Sequence, residues 1–193
     1  ARDAGDIILL DNNFRSIISA VHEGRTIYAN IKRMVVYLLA TNLGEVLVSI
    51  GSLLVGLPIP LLPVQILWVN LVTDTTMVIP LGVEPGSPQA MRRSPYHPKA
   101  PLLSRFILSR VGLIAVVMAV ITLGLYSMYY HSHGEGYART IAFCALVVMQ
   151  WASALAARSD YEPVWRRARR WSTAFYGGLA VSIVLQLVAL FGP

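Results

Sequence analysis

This sequence is poor in charge. Only 13% of its 193 residues are charged, against about a quarter in an ordinary soluble domain. Hydrophobic residues make up 55%, and the mean hydropathy is +0.59. So few charges cannot cover the surface of a soluble globule, and so apolar a chain is not disordered. Cysteine is nearly missing as well. The single Cys144 excludes an internal disulfide and any metal centre built from several thiolates. Lysine is scarce, and Lys32 and Lys99 are the two copies beside fourteen arginines. The net charge of +6 would suit a nucleic-acid partner only if it formed a basic face on a soluble module. Here the charges lie between long apolar runs, so no nucleic acid is expected and the partner is a lipid bilayer. The chain opens on Ala1 and a polar stretch. No signal peptide is expected ahead of the first apolar run, and the chain is expected to be a piece of a longer one.

What is present is five runs long enough to cross a bilayer, which takes about 20 helical residues. They are 34–57, 61–83, 106–130, 140–157 and 171–191. The fold class expected is an all-α polytopic membrane protein. Before the first run, Asp6–Asp11 reads as a short buried strand bounded by acids. Asn12-Asn13 reads as a turn and helix cap. Phe14, Ile17, Ile18 and Val21 recur at helical spacing, and that helix continues past Thr26 into the membrane without a stop. A polar-facing element is thereby joined rigidly to a membrane helix.

Basic residues set the orientation. Fifteen of the sixteen lie in three segments on one side: Arg2 to Arg33, Arg92 to Arg110, and Arg158 to Arg170. Only Arg139 lies on the other. The N-terminus is therefore expected in the cytosol. The Gly56–Pro63 turn and the His131–Gly136 loop are expected outside. In a prokaryote the membrane would be the plasma (inner) membrane.

Two acids interrupt the apolar runs, Glu45 in the first and Asp74 in the second. An ionised carboxylate at mid-membrane costs a few kcal/mol, and such residues usually face a bundle interior. Asn42 and Glu45 are spaced i, i+3; Asn70, Thr73 and Asp74 are spaced i, i+3, i+4. A short turn makes the two helices antiparallel neighbours, so the two polar faces are expected to meet. Carboxylates, amides and a hydroxyl form an all-oxygen set, which suits hard cations such as Ca²⁺ or Mg²⁺. Glu45 and Asp74 are the metal-binding candidates. Gly44 and Pro80 are expected to loosen the helices there and free carbonyls. Gln150 is a possible further ligand, although a lone Gln in a membrane helix more often joins helices together. His131 and His133 lack further ligands and read as solvated. The run Arg166–Arg170 reads as an anionic-lipid contact. Trp68, Trp151, Trp165 and Trp171 read as partly interfacial. No catalytic residue is identified.

The stretch from Tyr37 to Glu45 (YLLATNLGE), followed by Leu57 to Asp74 (LPIPLLPVQILWVNLVTD), resembles the fifth and sixth membrane helices of type II P-type ATPases. It is most similar to calcium pumps of the sarcoplasmic-reticulum type. Asp11-Asn-Asn-Phe and Glu23 to Arg33 resemble the end of the phosphorylation domain and the stalk below the fifth helix. Leu81 to Pro85, Met91 to Pro95 and Pro98 to Ser104 resemble the following cytosolic loop. The resemblance is dense over residues 3–110.

It implies a short remnant of an α/β (HAD-like) phosphorylation domain and stalk in residues 1–33, ahead of a membrane bundle in 34–193. It implies ATP-driven cation transport, with Ca²⁺ favoured over Mg²⁺ or a monovalent ion, and with Asn42, Glu45, Asn70, Thr73 and Asp74 as ligands. ATP and its Mg²⁺ would enter only through parts absent from this chain, and the remaining N-terminal portion of the pump would be its partner. Alone, the chain is expected neither to hydrolyse ATP nor to pump. Thr75-Thr76 follow Asp74 where calcium pumps usually carry Gly-Leu. Gln150 stands where two-site pumps carry an acid, which would weaken one site. The alternatives are a stand-alone or regulatory membrane module that binds cations or a pump, and a passive channel. The channel is disfavoured by the dense ligand set and the lack of a symmetric pore motif.

Overall fold

A computed structural model of the chain describes residues 13–86, 91, 94, 102–158 and 172–192. The strand expected at Asp6–Asp11, the basic loop with Arg92, Arg93 and Lys99, the Arg166–Arg170 run, Trp165 and Trp171 lie outside the described residues. Helix α1 spans Phe14–Leu54, α2 Pro63–Trp68, a π-helical segment Val69–Thr73, and α3 Asp74–Gly82. Helix α4 spans Arg105–His133, α5 Glu135–Ala157 and α6 Thr173–Phe191. Among the described residues there is no strand. Counting α2, the π segment and α3 as one crossing, five helices among the described residues are long and apolar enough to span a membrane. The chain is an all-α, multi-pass membrane protein.

Asn13 caps α1, its side-chain oxygen accepting from the Arg15 N–H at 3.0 Å. This meets one of the orphan donors that every helix start leaves. With 41 residues, α1 is about 60 Å long, roughly twice the bilayer core. One half therefore crosses the membrane and the other projects from it. The continuity expected past Thr26 is present. Helices α4 and α6 start on serine caps, Ser104 and Ser172. The connection after α1 turns at Gly56, whose φ of +72° only glycine adopts without strain. Gly134 plays the same part between α4 and α5 with φ +86°. The His131–Gly136 loop is thereby shorter than expected. His131 and His133 belong to the last turn of α4, and Glu135 already begins α5.

Lipid gives helices no hydrophobic reason to associate, so close packing and buried hydrogen bonds must hold them. Helix α1 packs along α4 at glycines: the Cβ position of Gly44 lies 3.4 Å from Met118 Cβ, and that of Gly51 meets Leu123. The backbone at Gly44 stays helical, so this glycine serves helix approach rather than the local loosening expected of it. The irregular backbone is one helix over, in the π segment.

Two apolar clusters stack along the bundle. One joins Val48, Val69, Met118, Phe143, Leu146 and Val147. The other joins Tyr37, Met77, Leu81, Ala154, Ala157 and Phe175. On each of three helices the chain passes from one cluster to the other through a polar residue: Glu45 on α1, Asp74 at the start of α3, Gln150 on α5. A second polar layer closes one end of the bundle. There Arg158 donates from Nε and Nη2 to Glu84 Oε1 at 3.1 and 2.8 Å. Its guanidinium carbon lies 4.6 Å from the centre of the Phe175 ring. Asn30 donates to the carbonyls of Gly82 and Glu84 at 3.0 and 2.8 Å, and Arg110 to that of Ala156. Arg139 is at the opposite end, bonded to the Ile59 carbonyl and paired with Glu135.

Candidate cation site

Residues Asp74, Asn70 and Thr73 owe their placement to the π segment. The Asp74 N–H reaches back to the Val69 carbonyl, five residues away. One extra residue is thereby accommodated in the turn, and such bulges occur often at functional sites. Six residues on, Pro80 lies within α3 and cannot donate to the carbonyl four residues back. The helix carrying three of the expected ligands is thus irregular on both sides of Asp74.

Glu45 is the centre of the layer and 6% exposed. Its two carboxylate oxygens are held by two different helices. Asn70 Nδ2 donates to Oε2 at 3.0 Å, and Gln150 Nε2 donates to Oε1 at 3.0 Å. Asn70 also donates to the Ile66 carbonyl at 3.0 Å, which fixes its rotamer. Asp74 is 4% exposed and accepts from the Tyr37 hydroxyl at 3.0 Å. Thr73 is buried beside it. Among the described residues neither carboxylate has a lysine or arginine within ion-pair distance. Gln150 is fully buried, yet its Oε1 has no hydrogen-bond partner. A free carbonyl oxygen on the amide that holds the buried Glu45 carboxylate is an acceptor-rich spot.

The structure therefore brings together Glu45, Asn70 and Gln150 by direct bonds, with Thr73 and Asp74 on the same irregular segment. It does not bring Asn42 into this group. Asn42 is exposed on α1 and donates to the Leu38 carbonyl one turn back at 2.8 Å. The reason is rotational. The buried stripe of α1 runs through Tyr37, Thr41, Gly44, Glu45, Val48 and Ser52, and at about 100° per residue Asn42 points well off it.

Tyr37 is the site residue that sequence reasoning missed. Its signal was the eight-residue spacing to Glu45, about two helical turns, which puts both on one stripe. No group of three His, Cys, Asp or Glu side chains converges among the described residues. The polar groups of this layer are two carboxylates with neutral amide and hydroxyl groups. Buried carboxylates without a positive partner are costly. A hard cation or protons would offset that cost.

A family model described as "Cation transporting ATPase, C-terminus" matches residues 58–193. The "Calcium-transporting ATPase" of Bacillus subtilis is 39% identical over 195 residues, covering 100% of this chain and 22% of that protein. "Calcium-transporting ATPase 1" of Bacillus cereus is 47% identical over 104 residues, 54% of this chain and 12% of its own. A "Probable cation-transporting ATPase F" of Mycobacterium bovis is 35% identical over 198 residues, 100% of this chain and 21% of its own. The chain spans about a fifth of the length of relatives that it matches from end to end. It belongs to the cation-transporting P-type ATPases and corresponds to their C-terminal membrane region.

Proposed function

We propose that this chain supplies the cation-binding membrane part of an ATP-driven pump, and that the ion is Ca²⁺. The observation that carries the reading is the buried layer in which Glu45 is gripped by Asn70 and Gln150 from two other helices, next to Asp74 on an irregular segment. Glu45 and Asp74 supply the charge. Asn70, Thr73 and the free Gln150 oxygen complete an oxygen shell of the kind that hard cations take. The names of the two Bacillus relatives favour Ca²⁺ over Mg²⁺ or a monovalent ion. Gln150, neutral where a third acid could stand, favours a single ion per cycle. Asn42 faces outward on α1, on the surface against which we assign the remaining helices of the parent protein.

Residues 1–33 would then be the end of a phosphorylation domain and its stalk, and 34–193 the bundle. ATP and Mg²⁺ would act in the missing N-terminal portion. The projecting half of α1 would convey its movements to Glu45, opening the layer to one side and then the other. A cytosolic N-terminus is supported by Arg33, Arg110 and Arg158 gathered at one end, with Arg139 at the other. In a bacterial cell the membrane would be the inner one.

The test is cation-dependent phosphorylation of the full-length protein by ATP, measured across Ca²⁺, Mg²⁺, Mn²⁺, Na⁺ and K⁺. Ca²⁺ dependence that disappears in both Glu45→Gln and Asp74→Asn is expected. Wild-type dependence in both variants would overturn the site. Dependence on another ion alone would overturn the choice of Ca²⁺.

A further inference from the structure

Helix α6 contributes no oxygen to the layer around Glu45, yet its one buried face lies along the irregular helix. Its buried residues are Phe175, Ser182 and Gln186, and Gly178 falls on the same face at helical spacing. At Gly178 the approach is closest. A Cβ there would lie 2.5 Å from the Thr76 carbonyl oxygen and 2.5 Å from Pro80 Cγ. The adjacent Gly177 has nothing within 4 Å of the same position. The Thr76 carbonyl is the one that Pro80 deprives of its usual helical donor, so α6 is seated on the break in α3. Two turns further on, Gln186 Oε1 accepts from Trp68 Nε1 at 3.1 Å. Trp68 immediately precedes the π segment. Between these points Ser182 accepts from Trp151 on α5 at 2.9 Å. Helix α6 thus touches the irregular helix just before Val69 and just after Asp74, bracketing Asn70, Thr73 and Asp74.

We propose that α6 is a positioning element for the cation site: Gly178 and Gln186 hold the two ends of the irregular segment so that Asn70 stays on Glu45 and Asp74 stays on Tyr37. This rests on the pump reading above. A helix with a π turn and an internal proline has lost backbone bonds that would otherwise set its shape. Its geometry must then come from a neighbour. Gly178 is needed because any side chain there pushes α3 and α6 apart, and Gln186 because its bond to Trp68 sets the start of the π turn.

The experiment uses the full-length protein and reads two quantities: the Ca²⁺ concentration for half-maximal phosphorylation, and the maximal phosphorylation level. Gly178→Ala is expected to raise the half-maximal concentration about five- to tenfold, the scale of an overpacked contact, with the maximal level largely kept. Gly177→Ala is expected to match the wild type. Trp68→Phe and Gln186→Met are each expected to raise the half-maximal concentration about threefold, and together no more than either alone, as broken halves of one bond should. Should Gly178→Ala not accumulate in the membrane, the Trp68/Gln186 cycle decides the matter.

A lower maximal level with an unchanged half-maximal concentration would mark α6 as mere scaffold and overturn the proposal. So would an equal effect of Gly177→Ala, or additive effects of Trp68→Phe and Gln186→Met. Cation dependence that is lost in Glu45→Gln and Asp74→Asn but indifferent to the α6 variants would overturn the role of α6 alone. Dependence that survives Glu45→Gln and Asp74→Asn would overturn the site itself.

Discussion

Replacing Arg158 by leucine should damage this bundle more than any single change at the lipid-facing surface. Arg158 is 1% exposed and Glu84 2%. Their contact is a double donation onto one oxygen at 3.1 and 2.8 Å. Losing one partner of a buried pair typically costs about 3–5 kcal/mol, because the other charge stays desolvated. The guanidinium also sits over Phe175 and Tyr176 at 4.6 and 5.3 Å, each such contact adding about 0.5–2 kcal/mol. A loss of about 4 kcal/mol is expected for Arg158→Leu, and a similar one for Glu84→Leu. The double variant removes both charges and fills the space with apolar groups. It should recover about half of that loss or more. The assay is unfolding of the full-length protein in mixed micelles titrated with dodecyl sulfate, followed by tryptophan fluorescence. The reasoning is refuted if either single change costs less than about 1 kcal/mol, the value of an exposed pair. It is refuted equally if the double variant loses the sum of the two.

Three further outcomes follow from the same geometry. Tyr37→Phe removes the hydrogen bond to Asp74 (3.0 Å); bonds to charged groups are worth about 1.5–3 kcal/mol, so half-maximal Ca²⁺ for phosphorylation should move about tenfold or more, and a shift below twofold would separate Tyr37 from the site. Gln150→Leu strips Glu45 of one donor and the layer of its free carbonyl; bound ⁴⁵Ca²⁺ at a fixed low concentration should fall steeply, and unchanged binding would reduce Gln150 to a helix contact. Glu135→Ala breaks the half-exposed pair with Arg139, and by the same unfolding titration it should stay within about 0.5 kcal/mol of wild type.

The membrane character, the five crossings and the two acids could be read directly, because each is a contrast within a short window. An acid in an apolar run stands out without any knowledge of its neighbours. The Asn13 cap and the unbroken α1 were legible for the same reason. Asn42 was less so. Spacing of i, i+3 puts two residues within reach of one face, but which of them lies under the partner helix depends on how that helix is rotated. Tyr37 carries the opposite lesson, since a tyrosine inside an apolar run looks like packing until an aspartate comes within 3.0 Å of its hydroxyl.

What the amino-acid order determined by itself is therefore local. It set the segments that enter the bilayer, the charge that must be buried if they do, and the proline that weakens α3. Tertiary structure decided what those features touch. It set the extra residue in a π turn at Val69–Thr73 rather than at Gly44. It turned Asn42 outward, aimed Gln150 at Glu45 and seated Gly178 on Pro80. The reason is physical: hydropathy is a property of each residue, whereas rotation about a helix axis is chosen only when other helices press against it.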